Sequence, residues 1–426
     1  METRPVVAVA LAVLFVTAGC QAPAEGGGVD GATDAPATAA PTTQAPTQQT
    51  TQQPTEPTDS PETGTESTDG PAEVTQFVRV EDELLFRVTP IYQRVGRLLA
   101  VDEYDRPATT VYVENASEAG NVSSGSTSGF TALVGISPRP SGGDDGGVKA
   151  GAVTRGTTVT LYDYENATAR WKENVLAHEF VHVYQSQLPV RDAVDALDRR
   201  RNRPFLKSVM VEGSAEYVQE RYAVRYQNET IDQTRISAAW KNASAYERLR
   251  IAPYTYGSRY FAMRLDGPSG VTDVYEHPPR TAEQVVHGYD PGEEPPEALT
   301  VHANASDGGF EDTGAGTRGE LFVRLALSTE LDWERAADAS TGWGMDRLVY
   351  FTGEGGRDAY AWVLRWDSAS EATEFTDAFE DYDDANDERF RVESVTDETV
   401  VVYAGADAFV ENASASGNSS SVTITA

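Results

Sequence analysis

Between positions 81 and 100 the apolar residues Leu84, Leu85, Val88, Ile91, Val95, Leu98 and Leu99 recur at intervals of three and four. That period predicts an amphipathic helix. The rhythm then shortens. Residues 109–113, 130–136 and 157–162 are β-branched and apolar runs separated by Gly, Ser and Asn, and they predict strands. The glycine-rich stretch 142–147 predicts a loop, and helical periodicity returns at 169–187, 205–226 and 238–250. From 290 to 316 the chain turns to Pro, Glu, Gly and Asp, the composition of a linker. Beyond it, 320–327 and 333–339 predict helices, 360–366 a strand, 368–379 a helix, and 391–395 with 399–403 a closing β-pair. No repeat is visible. The expectation is an α+β protein with a large domain at 74–290, a linker at 291–318, a small α+β unit at 319–404 and a disordered tail at 405–426.

The first nineteen residues change this picture. A short charged start containing Arg4, an apolar run from Val6 to Ala18, and Gly19 before Cys20 have the layout of an export signal. The run is too short to span a bilayer. Small residues ahead of the chain's single cysteine resemble a lipobox, which implies that Cys20 is lipidated and anchors the chain to the outer face of the cell membrane. Residues 20–73, rich in Thr, Gln and Pro with little to bury, predict a disordered stalk. Eight N-x-S/T sequons begin at Asn115, Asn121, Asn166, Asn228, Asn242, Asn304, Asn412 and Asn418, and suit an N-glycosylated exterior. One cysteine excludes an internal disulfide and a cysteine-ligated zinc.

Charge narrows the partners. Acidic residues outnumber basic ones 67 to 34, for a formal net charge of −33, which argues against nucleic acid and anionic membrane surfaces. Lysine appears only at Lys149, Lys172, Lys207 and Lys241. A carboxylate-rich, lysine-poor surface resembles that of halophilic archaeal proteins.

The chemistry centres on His178-Glu179-Phe-Val-His182 within the predicted helix 169–187. Histidines four apart share a helix face and can reach one metal ion, and the adjacent Glu179 can take a proton from a water the metal has acidified. The glycine and third histidine of metzincins are missing, since Gln185 and Leu188 stand there. Downstream, Glu212-Gly213-Ser-Ala215-Glu216-Tyr217 resembles the EGxAxY segment of gluzincins of the peptidase MA-like type. The resemblance implies a zincin-like fold, zinc held by His178, His182 and Glu212, Glu179 as general base and then acid, and peptide or protein substrates. It also implies Gly213 for close helix packing and Glu216 as a partner for a ligand histidine, where the thermolysin-like family commonly has Asp. The competing reading of Glu212 and Glu216 is a solvated acidic helix face.

Tyr254-Thr-Tyr256-Gly257 and Pro278 to Tyr289 resemble YxYG and PPxTxEQxxHPxxY segments, with Gly288 in place of the proline. His287, Tyr289 and Tyr256 are candidate donors to the oxyanion, unless the segment is a turn packed on the helices. Gly342 to Arg347 and Arg365 to Phe375 are similar to segments that accompany the zinc helices in a family of haloarchaeal surface proteins, and Asp346 with Arg347 could form a buried pair. A strand edge, at 130–136 or 157–162, would align the peptide. The expected product is a monomeric, lipid-anchored surface metallopeptidase. The alternative is a non-catalytic surface-layer binding or adhesion lipoprotein that keeps the fold.

Overall fold

In a computed structural model of the chain, residues 78–80, 84, 86–119, 129–138, 150–198, 202–236, 238–304 and 309–426 are described. The signal, Cys20, the stalk, the 142–147 loop and Asn121 lie outside them. Strands β1 (Val78–Val80), β2 (Thr109–Asn115), β3 (Ala152–Arg155) and β4 (Thr158–Asp163) form a sheet in the order β1-β2-β4-β3. Pairing is parallel except between β3 and β4, which turn at Gly156, φ 62°. Helix α1 (Thr89–Leu98) crosses from β1 to β2. It begins later than the apolar stripe because Pro90 occupies its first turn, where a missing N–H costs nothing.

Residues 130–136 are not a strand. Gly129 and Gly135, at φ 62° and 73°, bracket one helical turn, α2 (Phe130–Leu133). Its apolar residues are there to bury Phe130 against Phe322, Tyr360 and Trp362, a tertiary anchor that local pattern cannot distinguish from a buried strand. Next come α3 (Ala169–Gln185), α4 (Val190–Ala196) and α5 (Arg203–Ser208). A π-helical turn (Val209–Gly213) joins α5 to α6 (Ser214–Tyr226). The predicted helix 238–250 is broken, because Ser244 and Glu247 form a capping box that starts a new helix. It thus comprises α7 (Ala238–Asn242) and the beginning of α8 (Ala245–Arg264). Helices α9 (Val271–Glu276) and α10 (Ala282–His287) follow, the latter capped by Thr281 and closed by Gly288 at φ 77°.

The expected linker carries β5 (Thr300–Asn304) and β6 (Phe310–Gly316), and the expected tail carries α14 (Asp407–Asn412), β11 (Ser414–Asn418) and β12 (Ser421–Thr425). A second sheet, entirely antiparallel, has the order β6-β7-β8-β10-β9. It contains β7 (Trp343–Gly353), β8 (Arg357–Trp366), β9 (Arg391–Thr396) and β10 (Thr399–Gly405). A third has the order β11-β12-β5. Helices α11 (Glu320–Leu327), α12 (Trp333–Asp338) and α13 (Ala369–Ala385) complete this half. Edge strands such as β6 are held by backbone pairing, and only Phe310 of β6 is buried. Their Gly- and Asp-rich composition therefore resembles a loop.

The described residues all fall in one compact unit, so the segment near 290–318 separates no domains. The fold is α+β, with mixed sheets and several helices. Among the described residues no helix is long and apolar enough to cross a membrane. Neighbours along a strand face opposite sides of the sheet, and Asp346 and Arg347 on β7 accordingly have different partners. Buried Asp346 accepts from the backbone of Arg318 and Gly319 and from the Trp362 indole, while Arg347 donates to Thr317.

Candidate metal centre

Thr168 caps α3 by accepting from the Trp171 N–H, and the helix runs through the core with Val175, Leu176, Phe180, Val181 and Val183 buried. The same helix carries His178 and Glu179 at 0 % exposure and His182 at 6 %. Imidazoles and a carboxylate at such depth demand partners. Facing them, the π-helical turn presents Glu212. Its Oε2 lies 3.5 Å from His178 Nε2 and 3.3 Å from His182 Nε2, and none of these three buried atoms makes a hydrogen bond. An ion bonded tetrahedrally at about 2.0–2.1 Å sets its ligand atoms about 3.3–3.4 Å apart. The geometry fits such an ion, and among the described residues this is the group of three with that convergence.

Close approach of the two helices depends on glycine. A Cβ on Gly213 would come within 2.6 Å of the Gly257 Cα, and one on Gly257 within 2.7 Å of the Gly213 Cα. This contact seats α8 against the π-turn. Tyr254, one turn before Gly257 on the same helix, then lies with its ring 6.2 Å from that of His178 at 28°. Burial and the facing Glu212 carboxylate hold the Tyr254 hydroxyl well above its ordinary pKa, which keeps it a proton donor.

These side chains are held from behind. Gln185 Nε2 donates to the Val211 carbonyl at 2.8 Å and to Ser214 Oγ at 3.0 Å. A carbonyl can only accept, so the amide is fixed with Oε1 towards His182 Nδ1, 2.9 Å away. His182 therefore carries its proton on Nδ1 and turns the Nε2 lone pair to the centre. His178 Nδ1 is 3.5 Å from Glu216 Oε2. Without a metal, burial disfavours the charged His178, yet Glu212 and Glu216 outweigh it and raise its pKa to about 10, while His182 and His178 hold Glu212 down at about 2. Burial and then Glu216 lift Glu220, one turn on, to about 7.

Glu179 is divided in its partners. One oxygen, Oε2, accepts from Thr154 Oγ1 at 2.5 Å, and the other has none. Thr154 belongs to β3, which among the described residues is an edge strand of the first sheet. Neither expected edge fits: 130–136 is helical, and β4 is paired on both sides.

His287 and Tyr289 have partners of their own. They stack on each other at the end of α10, with His287 Nε2 3.1 Å from both Glu320 oxygens, and Glu320 also pairs with Arg324. Tyr256 packs on Trp240 and faces Arg324. Among the described residues none of the three makes a ring contact or hydrogen bond with His178 or His182. Tyr254, Gln185 and Thr154 contact His178, His182 and Glu179 and were given no role in the sequence. Tyr254 was within reach, since it shares a helix face with Gly257 at i+3.

A family model described as a domain of unknown function, DUF8575, matches residues 308–426. The match takes in the second sheet and the expected tail, and contains none of the residues of the metal centre. No curated protein and no solved structure matches the chain.

Proposed function

We propose that the chain is a zinc-dependent peptidase of zincin-like fold, with His178, His182 and Glu212 as ligands. Glu179 carries this reading: a fully buried carboxylate beside the ligand set, one oxygen anchored by Thr154 and the other unpartnered. A purely structural site has no use for it. Zinc held by these three residues would acidify a bound water and polarise the substrate carbonyl. Glu179 Oε1 takes the proton and returns it to the leaving amine. Tyr254 donates to the oxygen on which negative charge develops. The substrate backbone pairs along the edge strand β3, which brings the scissile bond beside Glu179. The export signal and Cys20 extend the reading to a lipid-anchored protein on the outer face of a halophile's membrane.

The test is bound zinc and hydrolysis of a mixed peptide library at high salt, beside Glu179→Gln. Stoichiometric zinc in both forms, with cleavage in the parent alone, is expected. Zinc without cleavage in either would favour the binding or adhesion reading, and no zinc from metal-replete medium would remove the ligand assignment.

A further inference from the structure

The chain contains eleven asparagines, and eight of them begin an N-x-S/T sequon with no proline at the middle position. Serine and threonine together fill 69 of the 426 positions, a proportion at which about two of eleven asparagines would carry one two residues on by chance. The structure divides the two groups again. The sequon asparagines at strand ends, Asn115, Asn304 and Asn418, are exposed. So are Asn228 and Asn242 at helix ends and Asn166 in the turn before α3. The three outside sequons turn inward. Asn202 donates to the Arg318 carbonyl and Asn386 to the Tyr382 hydroxyl, and Asn174 has a buried Oδ1.

We infer that the protein is a carrier of N-linked glycans, with Asn115 and Asn418 as principal sites. Sequons at Asn166 and Asn242 have a second explanation, since Thr168 and Ser244 cap α3 and α8. No helix cap explains the other two. Asn115 Oδ1 accepts from the Ser117 N–H at 2.9 Å. Asn418 Oδ1 accepts from the Ser420 N–H, the Ser420 hydroxyl and the Ser421 N–H, each at 3.0 Å. Holding the oxygen against the backbone turns Nδ2 outward. Among the described residues neither Nδ2 has a hydrogen-bond partner. Asn412 is the counter-example, also exposed but with its Nδ2 donating to the Ala408 carbonyl, and it is the poorest acceptor of the set.

The donor class is a lipid-phosphate-linked oligosaccharide. Nδ2 attacks the anomeric carbon, the bond from that carbon to the phosphate oxygen breaks, Nδ2 loses one proton, and the lipid phosphate leaves. No electron is exchanged with an oxidant or reductant. The inference rests on the reading of the chain as exported, and not on its peptidase chemistry.

The experiment is glycopeptide mass spectrometry on full-length protein isolated from the cells that encode it, with protease added to intact cells to establish its side of the membrane. Peptides containing Asn115 and Asn418 should carry the same added mass. Ser117→Ala and Ser420→Ala should each remove one such mass with the asparagine untouched, and Ser117→Thr should retain it, which separates loss of the acceptor from loss of the fold. Bare Asn115 and Asn418 in protein that external protease digests would overturn the inference. Bare asparagines in protein that the protease cannot reach would overturn it together with the export reading.

Discussion

Tyr254 and Tyr256 stand two positions apart on α8, so they leave the helix in different directions. One meets His178 and Glu212, the other Trp240 and Arg324. In the proposed mechanism the Tyr254 hydroxyl donates to developing charge, and such a donor contributes on the order of 100-fold in kcat. Tyr254→Phe is expected to lower kcat by about that factor with zinc stoichiometry unchanged, whereas Tyr256→Phe and His287→Ala leave kcat near the parent's. Steady-state kinetics on all three decides it, and an unaltered kcat in Tyr254→Phe would remove the role. Gln185 acts one step further out. Gln185→Leu frees the His182 ring and leaves the Val211 carbonyl without its side-chain donor. The expected loss is about 10- to 100-fold in zinc affinity, measured by competition with a chelator. Wild-type affinity in that variant would show that the ring is held by packing alone.

Between elements, the contact of Gly213 with Gly257 is the narrowest point of the site. A methyl at Gly257 meets backbone, which cannot swing aside as a side chain can. Gly257→Ala should therefore part α8 from the π-turn, lowering stability by about 1–3 kcal/mol and weakening zinc binding. Gly267→Ala, with nothing within 4 Å, is the control and should change neither; equal behaviour of the two would dismiss the contact. The elements that frame this point were largely legible in the sequence. Helix α3 repeats at the helical period, β2 and β4 are bounded apolar runs, and His178, Glu179, His182 and Glu212 stand in recognisable spacings. What could not be read was set by tertiary partners. Phe130 looks like a strand residue until Trp362 is beside it. Strands β5 and β12 become visible once paired, because Val422 and Ile424 bury against a neighbour 121 positions away in the chain, as in the Val301–Val422 register. The period of α8 places Tyr254 on a face but does not say which helix that face will meet.

Over the whole molecule the excess of carboxylate, −33 in net charge, is concentrated in places as well as spread. Glu283 on α10 is 5 % exposed, and around it stand Glu320 of α11, Asp367 after β8, Glu371 of α13 and Glu294 from the segment between α10 and β5. Burial first, then these like charges, push Glu283 from 4.5 up to about 9, and burial with Glu294, Glu371 and Glu297 raises Asp367 to about 6. The folded protein therefore holds a proton on Glu283 at pH values where the unfolded chain has released it. With the folded pKa above the unfolded one, the contribution to stability is complete below about pH 4.5 and is lost as pH rises towards 9. Keeping the carboxyl neutral at pH 8 costs on the order of 5 kcal/mol. Glu283→Gln supplies a neutral side chain of the same shape without that cost. It should unfold at a higher temperature than the parent at pH 8 and at nearly the same temperature at pH 4.5, the gap opening steadily between. Thermal unfolding across that range, at fixed high salt so that surface repulsion stays screened, measures the gap directly. A variant less stable than the parent at pH 8 would mean that Glu283 is charged in the folded protein and that a cation sits among these carboxylates.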